Sequence, residues 1–399
     1  MNIVIVGTGY VGLVTGVGFA EQGHKISFID LDTNKIQNLK NKQLPFFEPE
    51  LDHYFKKDKN FSRMSFHSTY KSIDWQLIDI VFICVQTPNN AETNSVDTKF
   101  LESAIKEVST LDNNDIVITV KSTIPPYEIQ NVCNKIGFDI NNLLFNPEFL
   151  REGTAIFDFF NPDRIVIGGS NQSKINILLN LYKEFNCEFV ITDSVSSQLI
   201  KYLANTYLPL RLSFVNEATR LASYSHANLE DVLKGVGLDN RIGNHYFRPS
   251  PSWGGSCFPK DLVEVNNFYD SNKLELPLIS NIIKSNKLHL IWTIRQILEL
   301  KKSNNLDSIV LVGAAFKENT DDLRNSPTLN AYKILEEEGN KVLIYDKNLN
   351  VKNHHCINQI NDIPQNSLVA IMYPMLEKEE VVLKEKLNNI NSIIYYPWK

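Results

Sequence analysis

Ile3-Val4-Ile5-Val6-Gly7-Thr8-Gly9-Tyr10-Val11-Gly12 is the stretch from which the architecture of this chain can be read. Four consecutive apolar residues ending at a glycine are the mark of a strand buried on both faces. The glycines follow at once, and a helical stretch then runs to about Gln22, followed by a second strand from Lys25 to Ile29 that ends at Asp30. Each glycine has a distinct use. Gly7 permits the tight turn, Gly9 lets the backbone approach a pyrophosphate, and Gly12 lets the helix pack closely on the strand. The helix N-terminus offers free N–H groups and the positive end of its dipole to phosphates. Asp30, 18 positions after Gly12, can accept hydrogen bonds from both ribose hydroxyls and would repel a 2′-phosphate, which favours NAD over NADP. A glycine-rich turn without ligand is the plainer alternative, and the strand–helix–strand–Asp context argues against it.

The pattern continues through Ile78–Val85, which ends in Gln86-Thr87-Pro88, and Ile116–Val120, which ends in Lys121-Ser122-Thr123; Leu143–Phe145 leads into Asn146-Pro147-Glu148. Ligands gather beyond the carboxyl ends of such strands, so Thr87, Thr123 and Glu148 fall on one rim with the glycine turn. Thr87 and Thr123 could equally be local hydroxyl caps. The fold class is therefore α/β.

From about Ser194 to Tyr224 the composition is helical, with Ser196-Ser197-Gln198 as a possible start and Pro209 as an expected kink. Lys201 and Asn205, at i and i+4, share one face, whether as part of a site or as a solvated surface pair. A second helical region spans about Leu278 to Leu300, and the polar stretch Ser303–Asp307 reads as a linker. The early pattern then returns: strand Ile309–Val312 and Gly313, helix Pro327 to Glu338, and strands Lys341–Asp346 and Leu368–Met372. This second turn lacks the later glycines and makes a poor NAD site; it could hold another nucleotide or simply carry the fold. Two Rossmann-like domains, 1–193 and 303–399, joined by a long-helix region, 194–302, are thus expected.

Gly254-Gly255-Ser256-Cys257-Phe258-Pro259-Lys260-Asp261 adds a chemical element. A cysteine offered to a dinucleotide site can capture an aldehyde as a thiohemiacetal, which a second oxidation turns into a hydrolysable thioester. The alternative is a small buried cysteine, although the flanking glycines, Pro259 and the charges argue against a plain core strand or helix.

Composition excludes several classes. At 399 residues more than one domain is expected, and 43% hydrophobic with 22% charged residues is ordinary for a globular protein. A net charge of −6 leaves no basic footprint for nucleic acid or an anionic membrane. No apolar run reaches the ~20 residues of a membrane span. Five dispersed cysteines form no CxxC pair or disulfide framework, no metal is expected, and Met1–Val6 carries no basic segment or cleavage site. A cytoplasmic location is expected.

Taken together, Gly7 to Gly12, Lys121-Ser122-Thr123, Asn146 to Gly153, Lys201-Tyr202-Leu203-Ala204-Asn205, the cysteine loop, and Ala315-Phe316-Lys317 running to Thr320–Arg324 resemble the UDP-glucose/GDP-mannose dehydrogenase family over nearly the whole chain. Tyr127, where a glycine often follows Pro-Pro, and Glu318, where a proline usually follows Phe-Lys, depart from its pattern. The resemblance implies that Cys257 is the nucleophile and that Lys201 and Asn205 steady the oxyanion. It implies that Asp261 positions the hydrolytic water and orients Lys201, and that Thr123 and Glu152 act through water in proton transfer. For NAD it implies Val11, Asp30, Lys35, Thr87, Thr123, Glu152, Lys260 and Arg324. For a UDP-sugar it implies Glu148, Phe149, Leu150, Arg151, Glu152, Lys201, Asn205, Tyr246, Phe247, Arg248, Pro249, Ser250, Gly254 and Lys317. Arg241 would reach a neighbouring subunit's sugar site in a homodimer built on the central helices. Arg241 to Tyr246 with Pro249-Ser250 looks like the branch acting on UDP-glucose, while relatives acting on N-acetylated hexosamines or GDP-linked sugars share the catalytic set. A two-electron β-hydroxyacid dehydrogenase and an idle nucleotide-sugar sensor are the competing readings.

Overall fold

The computed structural model describes all residues except 90–95, 112–114, 272, 348, 350–353, 375–376, 389 and 398–399. The chain divides into two compact units, Met1–Leu203 and Ala204–Lys399. The division falls inside one 31-residue helix, Ser194–Tyr224.

The amino-terminal unit is built on one eight-stranded sheet. In chain order its strands are β1 (Asn2–Val6), β2 (Lys25–Ile29), β3 (Met64–His67), β4 (Ile80–Ile83), β5 (Val117–Val120), β6 (Leu143–Phe145), β7 (Arg164–Gly168) and β8 (Glu188–Thr192). Their spatial order is β3-β2-β1-β4-β5-β6-β7-β8. The first six follow the 3-2-1-4-5-6 order of dinucleotide-binding sheets and are parallel. β7 enters antiparallel to β6, through Phe145 and Gly168, and β8 runs parallel to β7. The strands β1, β4, β5 and β6 are almost wholly buried, which explains their unbroken apolar runs. Alternate side chains feed two cores. One gathers Ile3, Ile5, Phe28 and Phe82 with the helix Tyr10–Glu21; the other gathers Val4, Val6, Val81 and Ile83 with the helices Lys99–Ser109 and Glu128–Ile136. β1 and β4 are adjacent strands with oppositely directed neighbours in the order, so the crevice beyond their carboxyl ends is where a ligand should lie.

The carboxy-terminal unit contains a five-stranded parallel sheet of β9 (Ser308–Val312), β10 (Val342–Tyr345), β11 (Cys356–Ile357), β12 (Ser367–Ile371) and β13 (Ile393–Tyr395), ordered β11-β10-β9-β12-β13. It begins with helices, including Leu229–Gly237 and Cys257–Ser271. The expected helix from Leu278 to Leu300 is two: Pro277–Ser280 and Ile282–Ser303. Pro277 opens the first, where its missing N–H costs nothing. The long helix starts at Ser194 and not at Ser196–Gln198, because the Asp193 carboxylate accepts from Ser196 N at 2.8 Å and from its hydroxyl at 2.6 Å.

Candidate active site

The glycine turn comes first because the strand order aims it at the ligand crevice. A Cβ on Gly12 would stand 2.0 Å from the carbonyl oxygen of Gly7, so only glycine lets the helix start this close to β1. A Cβ on Gly9 would meet nothing within 4 Å, leaving its backbone open, and Val11 lies in the first turn of the helix. At the end of β2 the Asp30 carboxylate accepts from Thr8 N at 2.9 Å, Thr8 Oγ1 at 2.7 Å, Asp32 N at 3.1 Å and Lys35 Nζ at 3.1 Å. Burial alone would raise its pKa, but these donors outweigh it and hold the group ionised below the usual carboxylate value. A fixed acid, an open backbone and a free helix terminus fit the adenosine ribose and pyrophosphate of NAD. Thr87 and Thr123 meet directly: the Thr87 hydroxyl donates to the Thr123 carbonyl at 2.8 Å.

The segment from Asn146 to Thr154 carries the candidate sugar site. Lys201, buried to 3% exposure, donates from Nζ to the Glu148 carbonyl at 2.7 Å and to Glu148 Oε1 at 2.9 Å. Phe149 lies under the Arg164 guanidinium, 3.6 Å from ring centroid to Cζ, with Lys201 Nζ 5.3 Å from the same centroid. Glu148 Oε2 turns back to accept from Leu150 N at 2.6 Å. Arg151 forms a forked ion pair with Asp158. Glu152 is half-buried at the turn between them and the helix Ala155–Phe160.

Sequence reasoning did not single out Glu48, although the structure gives it a central place. This buried carboxylate accepts from Gly153 N and Ala155 N, both at 2.7 Å, and from the Tyr10 hydroxyl. Burial and Glu48 together push the Tyr10 phenol far above its usual pKa, so it stays a donor. One acid thereby ties the loop 151–155 to the helix that begins at the glycine turn. Its only sequence signal is an acid set between aromatics and prolines in Pro45-Phe46-Phe47-Glu48-Pro49.

In the carboxy-terminal unit Cys257 is the exposed first residue of the helix Cys257–Ser271. The expectation is against a plain core strand or helix, and the structure puts the residue at the exposed start of a helix. Pro259 is tolerated because the first-turn N–H groups have no helical acceptor, and the charges sit where the chain leaves a loop. The glycines before it are dictated by contact: a Cβ on Gly254 would lie 2.1 Å from Asn325 O. Gly255, at φ +87°, donates to Arg324 O at 3.1 Å and accepts from Asn325 Nδ2 at 3.0 Å. The cysteine is thus anchored to the loop between β9 and the helix Pro327–Glu337.

One turn further along the cysteine helix, Asp261 is fully buried; one oxygen accepts from Asn205 Nδ2 at 2.6 Å and the other lies 2.7 Å from Lys260 Nζ. Glu264, also buried, is 3.6 Å from the same ammonium. It is a further residue that sequence reasoning passed over, and its i, i+4 spacing from Lys260 was the available signal. Burial by itself would lower the Lys260 pKa, but Asp261 and Glu264 overcome it and hold the ammonium charged. Cys257 also acts on that charge. Asn205 and Lys201 lie one turn apart on the same long helix.

Other expected residues are more dispersed. Phe247 is buried against the Arg211 guanidinium, at 5.0 Å, while Tyr246 takes a positive φ of 56° and Arg248 is exposed. Pro249 is half-buried, and Ser250 N donates to Asn216 Oδ1 at 2.9 Å. Arg241 and Arg324 each fork onto a nearby acid, Asp239 and Asp322. Lys317 Nζ lies 5.4 Å from the Phe316 ring centre. Tyr127 precedes the helix Glu128–Ile136, and Glu318 is exposed.

Comparison with known proteins agrees with this arrangement. The UDP-glucose/GDP-mannose dehydrogenase family matches in three parts: its NAD binding domain over residues 1–186, its central domain over 195–288 and its UDP binding domain over 310–383. A UDP-glucose 6-dehydrogenase of Rickettsia typhi is 38% identical over 372 residues, covering 88% of this chain and 84% of that protein. One from Rhizobium meliloti is 35% identical over 357 residues, covering 87% and 81%. The solved UDP-glucose dehydrogenase of Pyrobaculum islandicum superimposes with a TM-score of 0.86 at 27% identity, covering 100% of this chain and 97% of that one. Among the described residues no helix is long and apolar enough to cross a membrane. With its glycine turn and Asp30 in one unit and its cysteine loop in the other, the chain belongs to the UDP-glucose/GDP-mannose dehydrogenase family and is an NAD-dependent oxidoreductase.

Proposed function

We propose that this chain oxidises UDP-glucose to UDP-glucuronate, using two NAD per sugar, with Cys257 as the covalent nucleophile. The observation that carries the reading is Cys257 at a helix start one turn before a buried Asp261 that binds both Asn205 and Lys260. The names of the relatives in Rickettsia typhi and Rhizobium meliloti support the choice of sugar.

Gly7, Gly9, Val11, Gly12, Asp30 and Lys35, with Thr87 and Thr123 beyond the sheet, would hold NAD, which would supply the two-electron acceptor for each oxidation. The first oxidation turns the C6 alcohol into an aldehyde, its proton leaving through water ordered by Thr123 and Glu152. The Cys257 sulfur then adds to the aldehyde carbon to form a thiohemiacetal. Lys201 and Asn205 are donors suited to the oxygen that becomes anionic there. The second oxidation gives the thioester, and water positioned by Asp261 cleaves its C–S bond, releasing the carboxylate and restoring the thiol. Glu148 to Glu152, Tyr246 to Ser250, Gly254 and Lys317 hold the UDP-sugar. Lys260 and Arg324 complete the cofactor contacts.

The functional segments we propose are 1–193, 194–302 and 303–399. Homodimerisation through the central helix is part of the same reading. The exposed apolar residues Leu203, Tyr207, Phe214 and Leu221 follow helical spacing along it, and Arg241, at 89% side-chain exposure, would exchange its pair with Asp239 to reach another copy. The test is stoichiometric. Limiting UDP-glucose with excess NAD should yield two NADH per sugar and a uronate; one NADH would refute the four-electron reading, and faster turnover of another UDP- or GDP-sugar would reassign the substrate.

A further inference from the structure

Lys121 is buried to 7% exposure at the carboxyl end of β5, on the ligand side of the sheet. Its Nζ donates to Asn146 Oδ1 at 2.8 Å and lies 3.4 Å from Asn146 O, above the Phe82 ring at 5.6 Å. Asn146 is itself held on every side. Its N donates to Val120 O at 2.9 Å, its Nδ2 donates to Val166 O at 2.8 Å, and its Oδ1 also accepts from the Tyr182 hydroxyl at 2.7 Å. These bonds join β5, β6 and β7 where the sheet turns antiparallel. Two residues on, Glu148 receives Lys201 through both its carbonyl and its carboxylate.

We infer that Lys121 is a positioning residue for the sugar site: through Asn146 it sets the strand exit from which Glu148 engages Lys201. This rests on the function proposed above. A buried ammonium bonded to a neutral amide costs the fold stability, and its hold on Asn146, two residues before Glu148, supplies a reason to keep it. The charge is also titratable. Burial draws the Lys121 pKa down to about 8, with the Lys201 ammonium acting in the same direction and the Glu148 carboxylate opposing it. Cys84 does not ionise in this range, since burial pushes its thiol up to about 12, and burial raises the Tyr182 phenol above its ordinary value as well. Loss of the Lys121 proton weakens a charge-assisted bond and removes the positive charge facing Glu148.

The test compares wild type, Lys121→Met and Lys121→Arg across pH 6.5–9.5. We expect kcat/KM for UDP-glucose to fall in the wild type around pH 8. In Lys121→Met it should be at least about tenfold lower at pH 7 with no such limb, and Lys121→Arg should keep most activity with the limb moved upward. The KM for NAD should change by less than about twofold. A purely structural lysine would lower the melting temperature without moving the limb, and an alkaline limb unchanged in both variants overturns the inference. Failure of the functional reading is separate, because the wild type would then give no NADH; calorimetric binding of UDP-glucose at pH 7 and pH 9 carries the same three-way comparison.

Discussion

Lys121→Met should stabilise the amino-terminal unit at neutral pH while impairing the enzyme. The folded chain releases the Lys121 proton near pH 8, whereas an unfolded lysine holds it to about 10.5. Between those values the unfolded chain binds more protons, so stability rises with pH. Below pH 8 the full cost of the buried charge is present. A gap of about 2.5 pH units corresponds to about 3 kcal/mol at ~1.36 kcal/mol per unit. Methionine fills the alkyl volume without the charge, and Asn146 Oδ1 keeps the Tyr182 hydroxyl at 2.7 Å, so no buried acceptor is orphaned. For a unit of this size ~2–4 °C per kcal/mol makes the expected gain about 6–12 °C at pH 7. The gain should shrink through pH 8–10.5 and vanish above it. Scanning calorimetry of both proteins at pH 7, 9 and 10.5 decides the matter. A variant that melts at or below the wild type at pH 7, with a difference indifferent to pH, would refute the electrostatic reasoning.

Cys257→Ser should bind NAD and UDP-glucose as the wild type does and lose steady-state NADH production by at least about 100-fold, because a neutral hydroxyl is a far weaker nucleophile than a thiolate; wild-type turnover would end the covalent mechanism. Asp30→Asn keeps an acceptor for Thr8 but loses the charge, so charge-assisted ribose bonds worth ~1.5–3 kcal/mol each become neutral ones, and the NAD Michaelis constant should rise about tenfold with a narrower preference over NADP. An unchanged cofactor ratio would place the ribose elsewhere. Glu48→Gln sets an amide N–H against one of the donors Gly153 N, Ala155 N and Tyr10 OH. At about 2 kcal/mol for the mispaired site, the melting temperature should fall by about 4–8 °C and the UDP-glucose Michaelis constant should rise; a neutral effect on both would remove Glu48 from the support of the loop.

The first six strands were legible in part because burial on both faces leaves unbroken apolar runs between turn residues, as in Ile3–Val6 and Leu143–Phe145. β3, β7 and β8 were not among the expected strands. The antiparallel step from β6 to β7 has no local periodicity to announce it, and β8 is a mostly exposed edge strand whose burial does not alternate cleanly. Site residues divide in the same way. The glycine turn and Asp30 are separated by one helix and a short strand, so spacing reveals them. Glu48 reaches its loop across 105 and 107 residues, and Lys121 reaches Asn146 across 25. Such pairings depend on how strands are ordered in space, which no residue window contains. The helix at Cys257 was concealed for a different reason: glycine and proline signals that usually break helices here belong to a helix's approach and first turn.

The two sheets show why the same turn serves different ends. Gly7 and Gly313 share a φ of +96°, and each donates to the last carbonyl of the neighbouring strand, at 2.8 and 2.9 Å. Thr8 N and Ala314 N each donate to the acid at that strand's end, Asp30 and Asp346, both at 2.9 Å. After Gly7 the helix begins at Tyr10, so its free N–H groups face the crevice. After Gly313 the next helix waits until Pro327, where Ser326 Oγ accepts from Leu329 N at 3.4 Å; the Ser326 hydroxyl donates to Ala314 O at 2.6 Å and Thr328 Oγ1 to Gly313 O. Tyr373 also covers the glycine, since a Cβ there would lie 2.4 Å from its ring. The first turn thus runs directly into an uncapped helix terminus, and the second does not. The recurring acid fixes the backbone of both turns, while only the first adds the neighbouring glycines and the prompt helix that phosphate binding calls for.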